Sequence, residues 1–216
     1  MAPTLDELTV ADAPEAWRAC GFDVEGDGCV VGDVRIRLTG HAAAVGRGLA
    51  GWSLREITVT ELDGLSTTPS DRPPPDAPTP HPNGVTALDH VVAITPNLDR
   101  TLTALKAAGL ELRRIREEPT PAGAPRQGFF RLGAVILEVA QEPREAIARA
   151  GGDHPAFFWG LAFVAPDLDG TVASLGAGRV GEIRDAVQPD RRIATLRRSA
   201  GLALPVALIT EPTAAR

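Results

Sequence analysis

Polar and apolar positions in the second half of the chain predict one strand, one helix and three more strands in a fixed order. The run LDHVVAI, residues 88–94, is apolar over the length of a strand, which is typical of a buried strand. A helical pattern follows, with a capping position at Thr95 or Asn97 and a glycine stop at Gly109. Three strand-like runs separated by glycine and proline come next: LELRRIREE, RQGFFRLG and AVILEVAQEP. The pattern predicts the order β-α-β-β-β.

The same order returns from Phe157 onward, which indicates an internal repeat. FFWGLAFVAP is strand-like, DLDGTVASLGAG is helix-like, and RVGEIRDAV, RRIATLRRS and LALPVALITEP are again strand-like. The pair Leu98–Asp99 recurs 70 positions later as Leu168–Asp169. Because such a repeat implies a duplicated structural unit, we predict one unit over residues 85–145 and a second over residues 153–216. The fold class that this predicts is α+β, with tandem βαβββ units.

The N-terminal residues 1–64 predict a weaker, partial copy of this unit. A helix is expected around residues 13–20, strands near 22–25 and 29–38, and a last strand in WSLREITVTEL. Three such units leave one without an internal partner. An unpartnered sheet favours association with a second copy, and we therefore expect a homodimer.

A proline-rich segment, residues 65–84, separates this partial unit from the repeat. It contains PSDRPPPDAPTPHP, in which each proline lacks a backbone donor and fixes its φ angle. The composition predicts a stiff, extended linker.

Composition narrows the range of partners and locations. Of 216 residues, 44% are hydrophobic, and the formal net charge is −6, which disfavours a nucleic-acid partner because phosphate binding needs a basic surface. No signal sequence or long apolar span is evident, so we expect a cytoplasmic protein with no membrane partner. The two cysteines are expected to be reduced.

Glu138 and His90 are the candidate residues for chemistry. Strand alternation puts Glu138 on one face with Ile136 and Ala140, and a carboxylate among apolar neighbours must be solvated, paired or bound to a metal. His90 stands near the start of an apolar strand, where its neutral imidazole can ligate a divalent metal. The alternatives are a solvated Glu138 and a histidine that only forms hydrogen bonds near a strand end.

The tandem units, opened by LDHVVAITPNLD and closed by GAVILEVAQEP, resemble the vicinal oxygen chelate superfamily, which includes glyoxalase I, bleomycin-resistance proteins and extradiol dioxygenases. The resemblance implies a cupped mixed sheet around a small-molecule pocket, with helices on the outer face. It also implies metal ligands on the first and last strands of each unit, where His90 and Glu138 stand. One divalent metal ion and a lyase, isomerase or dioxygenase activity, with Glu138 catalytic, are the corresponding expectations.

The second unit departs from the pattern of that superfamily. His90 corresponds to Gly160 and Glu138 to Ala207, neither of which can ligate a metal. A catalytic metal usually has three protein ligands, and only His154 or His81 are left to supply another; both are otherwise expected at the surface. The alternative function is metal-free binding of an apolar or aromatic small molecule, with room beside Gly160 and Ala207. Whether the protein is an enzyme stays open.

Several further residues are candidates for contacting such a ligand. Phe129 (or Phe130) and Phe158 can form apolar walls, although ordinary core packing is the alternative for each. Polar anchors can come from Gln127, Gln188 and Arg192, since their segments occupy comparable places in the two units. The alternative for the arginine is a solvated strand face.

Overall fold

The computed structural model describes residues 2–40, 48–76, 81–121 and 123–212. The strands are β1 (Thr4–Val10), β2 (Gly28–Val31), β3 (Val34–Leu38), β4 (Leu49–Arg55), β5 (Thr67–Pro69), β6 (Ala87–Thr95), β7 (Glu111–Arg116), β8 (Gln127–Leu132), β9 (Val135–Gln141), β10 (Phe157–Val164), β11 (Arg184–Asp185), β12 (Arg192–Thr195) and β13 (Val206–Ile209). The helices are α1 (Pro14–Ala19), α2 (Leu98–Ala107), α3 (Arg144–Arg149) and α4 (Leu168–Leu175). The predicted α+β class, with mixed sheets of βαβββ-type units, is confirmed.

The chain divides into two compact units, each assembled from three separate stretches. One unit comprises residues 1–6, 51–73 and 90–159, and the other comprises residues 7–50, 74–89 and 160–216. We call them the first and the second unit. The boundaries of the sequence units at residues 64, 84 and 145 were predicted from the repeated pattern, and they stay a prediction.

The first unit contains a sheet with the strand order β6-β9-β8-β7, covered on one face by α2. Strands β6 and β9 run parallel, and the other neighbours run antiparallel. A side chain at Gly128 of β8 would lie 2.5 Å from Leu102 Cδ2 of α2, so helix and sheet are in close contact there. Buried leucines make the helix amphipathic, and Asn97 caps its N-terminus by accepting a hydrogen bond from the Arg100 backbone N–H at 3.1 Å.

In the second unit the strand order is β10-β13-β12-β11, with β10 and β13 parallel. Strands β1 and β3 also pair in parallel, and β2 and β3 form an antiparallel hairpin. The core of the second unit includes Trp17 and Phe22, whose ring centres lie 5.9 and 5.2 Å from the ring centre of Phe163.

A parallel pairing of the first with the last strand is typical of a βαβββ-type unit, and four parallel strand pairs bear on the predicted units. Two of them, β6–β9 and β10–β13, belong to complete units. The other two are β1–β3, between which α1 and β2 lie in the chain, and β4–β5, between which no helix or strand lies. The expectation of three units stays a prediction. Strand β5 lies inside the predicted linker, and its three residues show no hydrophobic alternation.

Other details of the N-terminal region also differ from the expectation. The predicted single strand over residues 29–38 is the β2–β3 hairpin, because Gly32 turns the chain with φ +63°. The predicted strand over residues 22–25 is reduced to one bridge, between Glu25 and Gly28. Strand β4 ends at Arg55, where Glu56 takes a positive φ of 58°.

The predicted linker is partly ordered against its neighbours. Residues 71–76 have no regular structure, whereas Asn83 is buried and donates through Nδ2 to the carbonyl of Cys20 at 2.9 Å. Residues 77–80 of this segment and residues 213–216 of the predicted second repeat lie outside the described residues. Within the described ranges, no helix is long and apolar enough to cross a membrane.

Candidate functional site

The candidate site lies on the sheet face of the first unit that is turned away from α2. Side chains beneath the helix, such as Leu137, Val139 and Phe130, are fully buried. On the opposite face Val92 and Phe129 are only half-buried. We call this the open face, formed by His90, Val92, Ile94, Gln127, Phe129, Ile136, Glu138 and Ala140. Apolar side chains that stay partly accessible at the centre of a sheet are typical of a ligand-binding surface.

Strand register places Glu138 at the centre of the open face. Glu138 of β9 is opposite Val92 of β6 on one side and opposite Phe129 of β8 on the other. Directly opposite residues point to the same face of a sheet. The carboxylate therefore stands between an aliphatic and an aromatic side chain, as the predicted alternation on β9 required.

Gln127 holds this carboxylate. It is opposite Ala140, and its side chain, with 6% of the residue exposed, donates a hydrogen bond from Nε2 to Glu138 Oε1. The reverse orientation of the amide would put Oε1 against the carboxylate, so the donor orientation is the favourable one. Gln127 Oε1 is buried and has no hydrogen-bond partner among the residues that the structure describes.

His90 lies on the open face but one step away from Glu138. It is opposite Ile136, whereas Glu138 is opposite Val92. The two candidate residues are therefore diagonal neighbours, displaced by two residues or roughly 7 Å along the strands. Side chains of this length can approach each other across such a diagonal.

An arginine borders the aromatic side of the site. Arg114 of β7 is opposite Phe129, and its guanidinium carbon lies 5.0 Å from the centre of the Phe129 ring. This distance is within the range of a cation–π interaction. The open face thus carries an acidic centre and a basic edge.

Solved structures share this arrangement of strands. Methylmalonyl-CoA epimerase from Mycobacterium tuberculosis matches 60% of this chain and 91% of its own, with 21% identity and a TM-score of 0.50. A xylose isomerase-like TIM barrel/4-hydroxyphenylpyruvate dioxygenase fusion protein matches 99% of this chain, with 13% identity and a TM-score of 0.62. The matched region spans 49% of the length of that fusion protein. The chain has a vicinal oxygen chelate fold.

At these identities the likeness establishes the fold alone. No family model and no curated protein matches the sequence. The predicted resemblance is confirmed at the level of the vicinal oxygen chelate fold, and the chemistry has to be argued from the side chains.

The donor set on the open face does not fit the divalent metal that this fold family implies. His90 and Glu138 are the two ligand candidates on this face, and Glu138 Oε1 already accepts a hydrogen bond from Gln127. Across the described residues, no group of three or more histidine, cysteine, aspartate or glutamate side chains is placed to hold a metal ion. Since a catalytic metal usually needs three protein ligands, we derive no chemical step through a metal.

The two other histidines considered as ligands are engaged elsewhere. His154 Nε2 lies 2.9 Å from Glu142 Oε2, and its Nδ1 lies 2.8 Å from the carbonyl oxygen of Pro155. His81 is buried in the second unit rather than at the surface as expected, and both of its ring nitrogens have backbone partners, the Asp23 N–H and the Val30 carbonyl, each at 3.0 Å. Burial lowers the pKa of His81.

Gly160 and Ala207, the positions in the second unit that correspond to His90 and Glu138, do not leave the expected room for a ligand. A Cβ on Gly160 would lie 2.5 Å from the carbonyl oxygen of Pro205, so the glycine is required by backbone packing. Ala207 is half-buried, opposite Ala162 and Thr195. The predicted room beside Gly160 is therefore filled by the chain itself.

The remaining predicted ligand contacts lie in different surroundings. Phe158 is 5% exposed and packs edge-to-face on Trp52 with ring centres 5.0 Å apart. Gln188 is in a turn, where its carbonyl accepts from the Arg191 N–H at 3.4 Å. Arg192 is exposed and pairs with Asp169 of α4 at 2.5 Å. Only Gln127 and Phe129, of the five predicted ligand-contacting residues, share the open face with Glu138.

Sequence reasoning missed two arginines. Arg191, rather than Arg192, is the buried one, and it pairs with Asp89 at 2.5 Å and donates to the carbonyl of Thr210. Arg114 was missed because its strand, LELRRIREE, shows no alternation that assigns a face to each arginine.

Proposed function

We propose that the protein binds a small organic molecule on the open face, without a resident metal, and that Gln127 and Glu138 form the polar centre of this site. The observation that supports the proposal is the buried, unpartnered Gln127 Oε1 beside an anchored carboxylate. A buried acceptor without a donor costs about 1–3 kcal/mol. A ligand with an N–H or O–H group would recover this free energy.

The apolar part of the open face supports the same proposal. Val92, Ile94, Phe129 and Ile136 stay half-buried around the polar pair. A ligand that covers them gains hydrophobic free energy, at about 25 cal/mol per Å² of apolar surface removed from water. A few polar groups within a mostly apolar surface is the usual composition of a small-molecule site.

The test is a screen of small aromatic compounds with and without a hydroxyl or amine group, followed by ligand-observed NMR. We expect the compounds with a donor to bind more tightly, and Gln127→Met to lower their affinity about 10-fold, because one hydrogen bond to a buried partner is lost.

Gln141→Met is the matched control. Gln141 also has an unpartnered buried Oε1, but it is opposite Thr95 and on the side of the sheet that α2 covers. This variant should leave the affinities unchanged. If no compound binds in a manner that depends on Gln127, the proposal is wrong.

A second candidate is a metal-dependent lyase, isomerase or dioxygenase with Glu138 as its catalytic group. The observation in its favour is that His90 and Glu138 point to the same face of adjacent strands. Elemental analysis of the purified protein tests it. One equivalent of a divalent metal, lost in both His90→Ala and Glu138→Ala, would replace the metal-free proposal with this one.

We also propose a cytoplasmic protein that forms a homodimer. The proposal depends on the N-terminal partial unit, which the sequence pattern leaves without an internal partner, and on the sheet edges that every open sheet leaves unpaired. Light scattering at micromolar concentration decides it. Twice the chain mass of 22.6 kDa would support a dimer, and the single mass would contradict it.

A further inference from the structure

We infer that the ligand of the open face carries an anionic group, a carboxylate or a phosphate, that arginines of β7 and β8 bind. The inference rests on the proposed function and adds the class of ligand. The residues concerned are Arg114 and Arg131, with Arg116 beside them.

A β-bulge in β7 turns Arg114 and Arg116 towards the open face. Leu112 of β7 is opposite Phe130, on the helix side of the sheet, but the register shifts after Leu112, and Arg114 is then opposite Phe129. Without the shift, Leu112 and Arg114 would share a face. Bulges commonly re-aim side chains next to functional sites.

Cross-strand rows connect the arginines to the polar centre. Arg114, Phe129 and Glu138 are consecutive members of one row across β7, β8 and β9. Arg116 is opposite Gln127 in the next row. Two strand spacings, roughly 10 Å, therefore separate the backbone positions of Glu138 and Arg114.

Two of these three arginines, Arg114 and Arg131, have no acidic partner among the residues that the structure describes. Both are exposed. Glu111, which is opposite Arg131, pairs with Arg113 at 2.5 Å. Arg116 does have an acidic partner, because Oε2 of Glu118 lies 3.7 Å from its Nε.

The distribution of charge fixes the orientation of the ligand. Glu138 repels an anion, whereas Gln127 Oε1 and the carboxylate both accept hydrogen bonds, so the donor end of the ligand lies at the polar centre. The anionic end then lies at β7, where a guanidinium can bind a carboxylate or phosphate with two parallel hydrogen bonds. The ring of Phe129 lies between the two ends.

An ordinary role for these arginines must be distinguished from ligand binding. Strand β7 is the last strand of its sheet, and charged side chains on edge strands prevent aggregation. Edge protection would make Arg114→Gln more prone to aggregate, but it would not make the affinity for a ligand depend on the ligand's charge.

The experiment compares two probes of nearly equal shape, 4-hydroxybenzoate and 4-hydroxybenzamide, by calorimetric titration of the full chain. We expect the wild type to bind the carboxylate roughly 10-fold more tightly than the amide, because only the acid can form an ion pair with two parallel hydrogen bonds to a guanidinium. The preference should shrink with added salt, since exposed charges are screened.

Arg114→Gln and the double variant Arg114→Gln/Arg131→Gln should abolish the preference for the acid, because they lower the affinity for the acid much more than the affinity for the amide. Arg149→Gln, which makes the same charge change on the exposed surface of α3, should keep the preference. 4-Hydroxyphenyl phosphate, which keeps the donor hydroxyl, is titrated in parallel and shows which of the two anions is preferred.

The possible results separate the two proposals. Equal affinities of the wild type for acid and amide, or a preference that survives the double variant, would overturn the anionic ligand and leave the proposed function intact. Failure of both probes and of every compound in the screen to bind would overturn the proposed function, and the anionic ligand with it.

Discussion

At the scale of single residues, Gly160 shows how a small side chain is easily misread in a sequence. Gly160 corresponds to His90 in the repeat, and its missing side chain suggests open space. A Cβ at this position would, however, lie only 2.5 Å from the carbonyl oxygen of Pro205. We expect Gly160→Ala to lower the free energy of unfolding by about 1–3 kcal/mol, because a backbone atom must move. Urea denaturation measures this. Gly178→Ala, where a Cβ meets nothing within 4 Å, is the control, and equal stabilities of the two variants would contradict the contact.

His81 makes the stability of the protein depend on pH. Burial lowers its pKa from 6.5, more than the hydrogen bond to Val30 and the charge of Asp23 raise it. The unfolded chain therefore takes up a proton more readily than the folded chain. We expect the free energy of unfolding to fall as the pH drops below 6.5, and to be flat with respect to this group above it. Denaturation at pH 5 to 8 tests this prediction. His81→Gln should show a shallower slope, and an unchanged slope would assign the pH dependence to other groups.

At the scale of elements, Asp6 joins β1 to β4 and to the segment after β5. Its fully buried carboxylate accepts from Ser53 at 3.3 Å, from Ser70 at 2.6 Å and from Arg72 at 2.7 Å, and it also pairs with Arg55. Burial alone would raise its pKa, but the hydrogen bonds from Ser70 and Arg72 and the charge of Arg55 hold the pKa below 3.8.

Removing this charge should be costly. We expect Asp6→Asn to lower the free energy of unfolding by about 3–5 kcal/mol, because two arginines lose their buried partner. For the wild type, the stabilisation is present above pH 3.8 and is lost as the pH falls through the lower pKa of the folded state. Chemical denaturation at pH 7 and at pH 3 measures both effects. Glu7→Gln, which breaks a more exposed pair with Arg37 at 3.0 Å, should cost less than about 1 kcal/mol; a similar loss in both variants would contradict the role of burial.

The sequence predicted the order of strands and helix within the two complete units, because glycine and proline bound their hydrophobic patterns. It did not predict α3, and of the predicted strand RVGEIRDAV only Arg184–Asp185 is a strand. The alternation predicted along β9, with Glu138 on one face together with Ile136 and Ala140, agrees with the strand register. Prediction failed where a strand is three residues long, as in β5, and where a bulge resets the alternation, as before Arg114. Such features depend on pairing with distant strands, which no local pattern records.

At the scale of the whole molecule, the chain passes repeatedly between its two compact units. Each unit uses residues from before and after the proline-rich segment. In the second unit, Trp17 and Phe22 cover Phe163, which is 0% exposed, and Asp12 accepts a hydrogen bond from the backbone N–H of Ala203 at 2.6 Å. The βαβββ repeat is continuous in sequence from residue 85, but side chains from the N-terminal region therefore form part of its core.

A fragment of residues 85–216 should consequently not fold alone. Its loss of Trp17 and Phe22 exposes the ring of Phe163, and burying a phenylalanine contributes about 1.5–3 kcal/mol, a large part of the 5–15 kcal/mol that stabilises a typical domain. We expect thermal denaturation followed by circular dichroism to show one cooperative transition for the full chain and none for the fragment. Trp17→Ala in the full chain should lower the midpoint while keeping the transition cooperative. A cooperative transition in the fragment, near the temperature of the full chain, would mean that the repeat is a domain by itself and that residues 1–84 only pack on its surface.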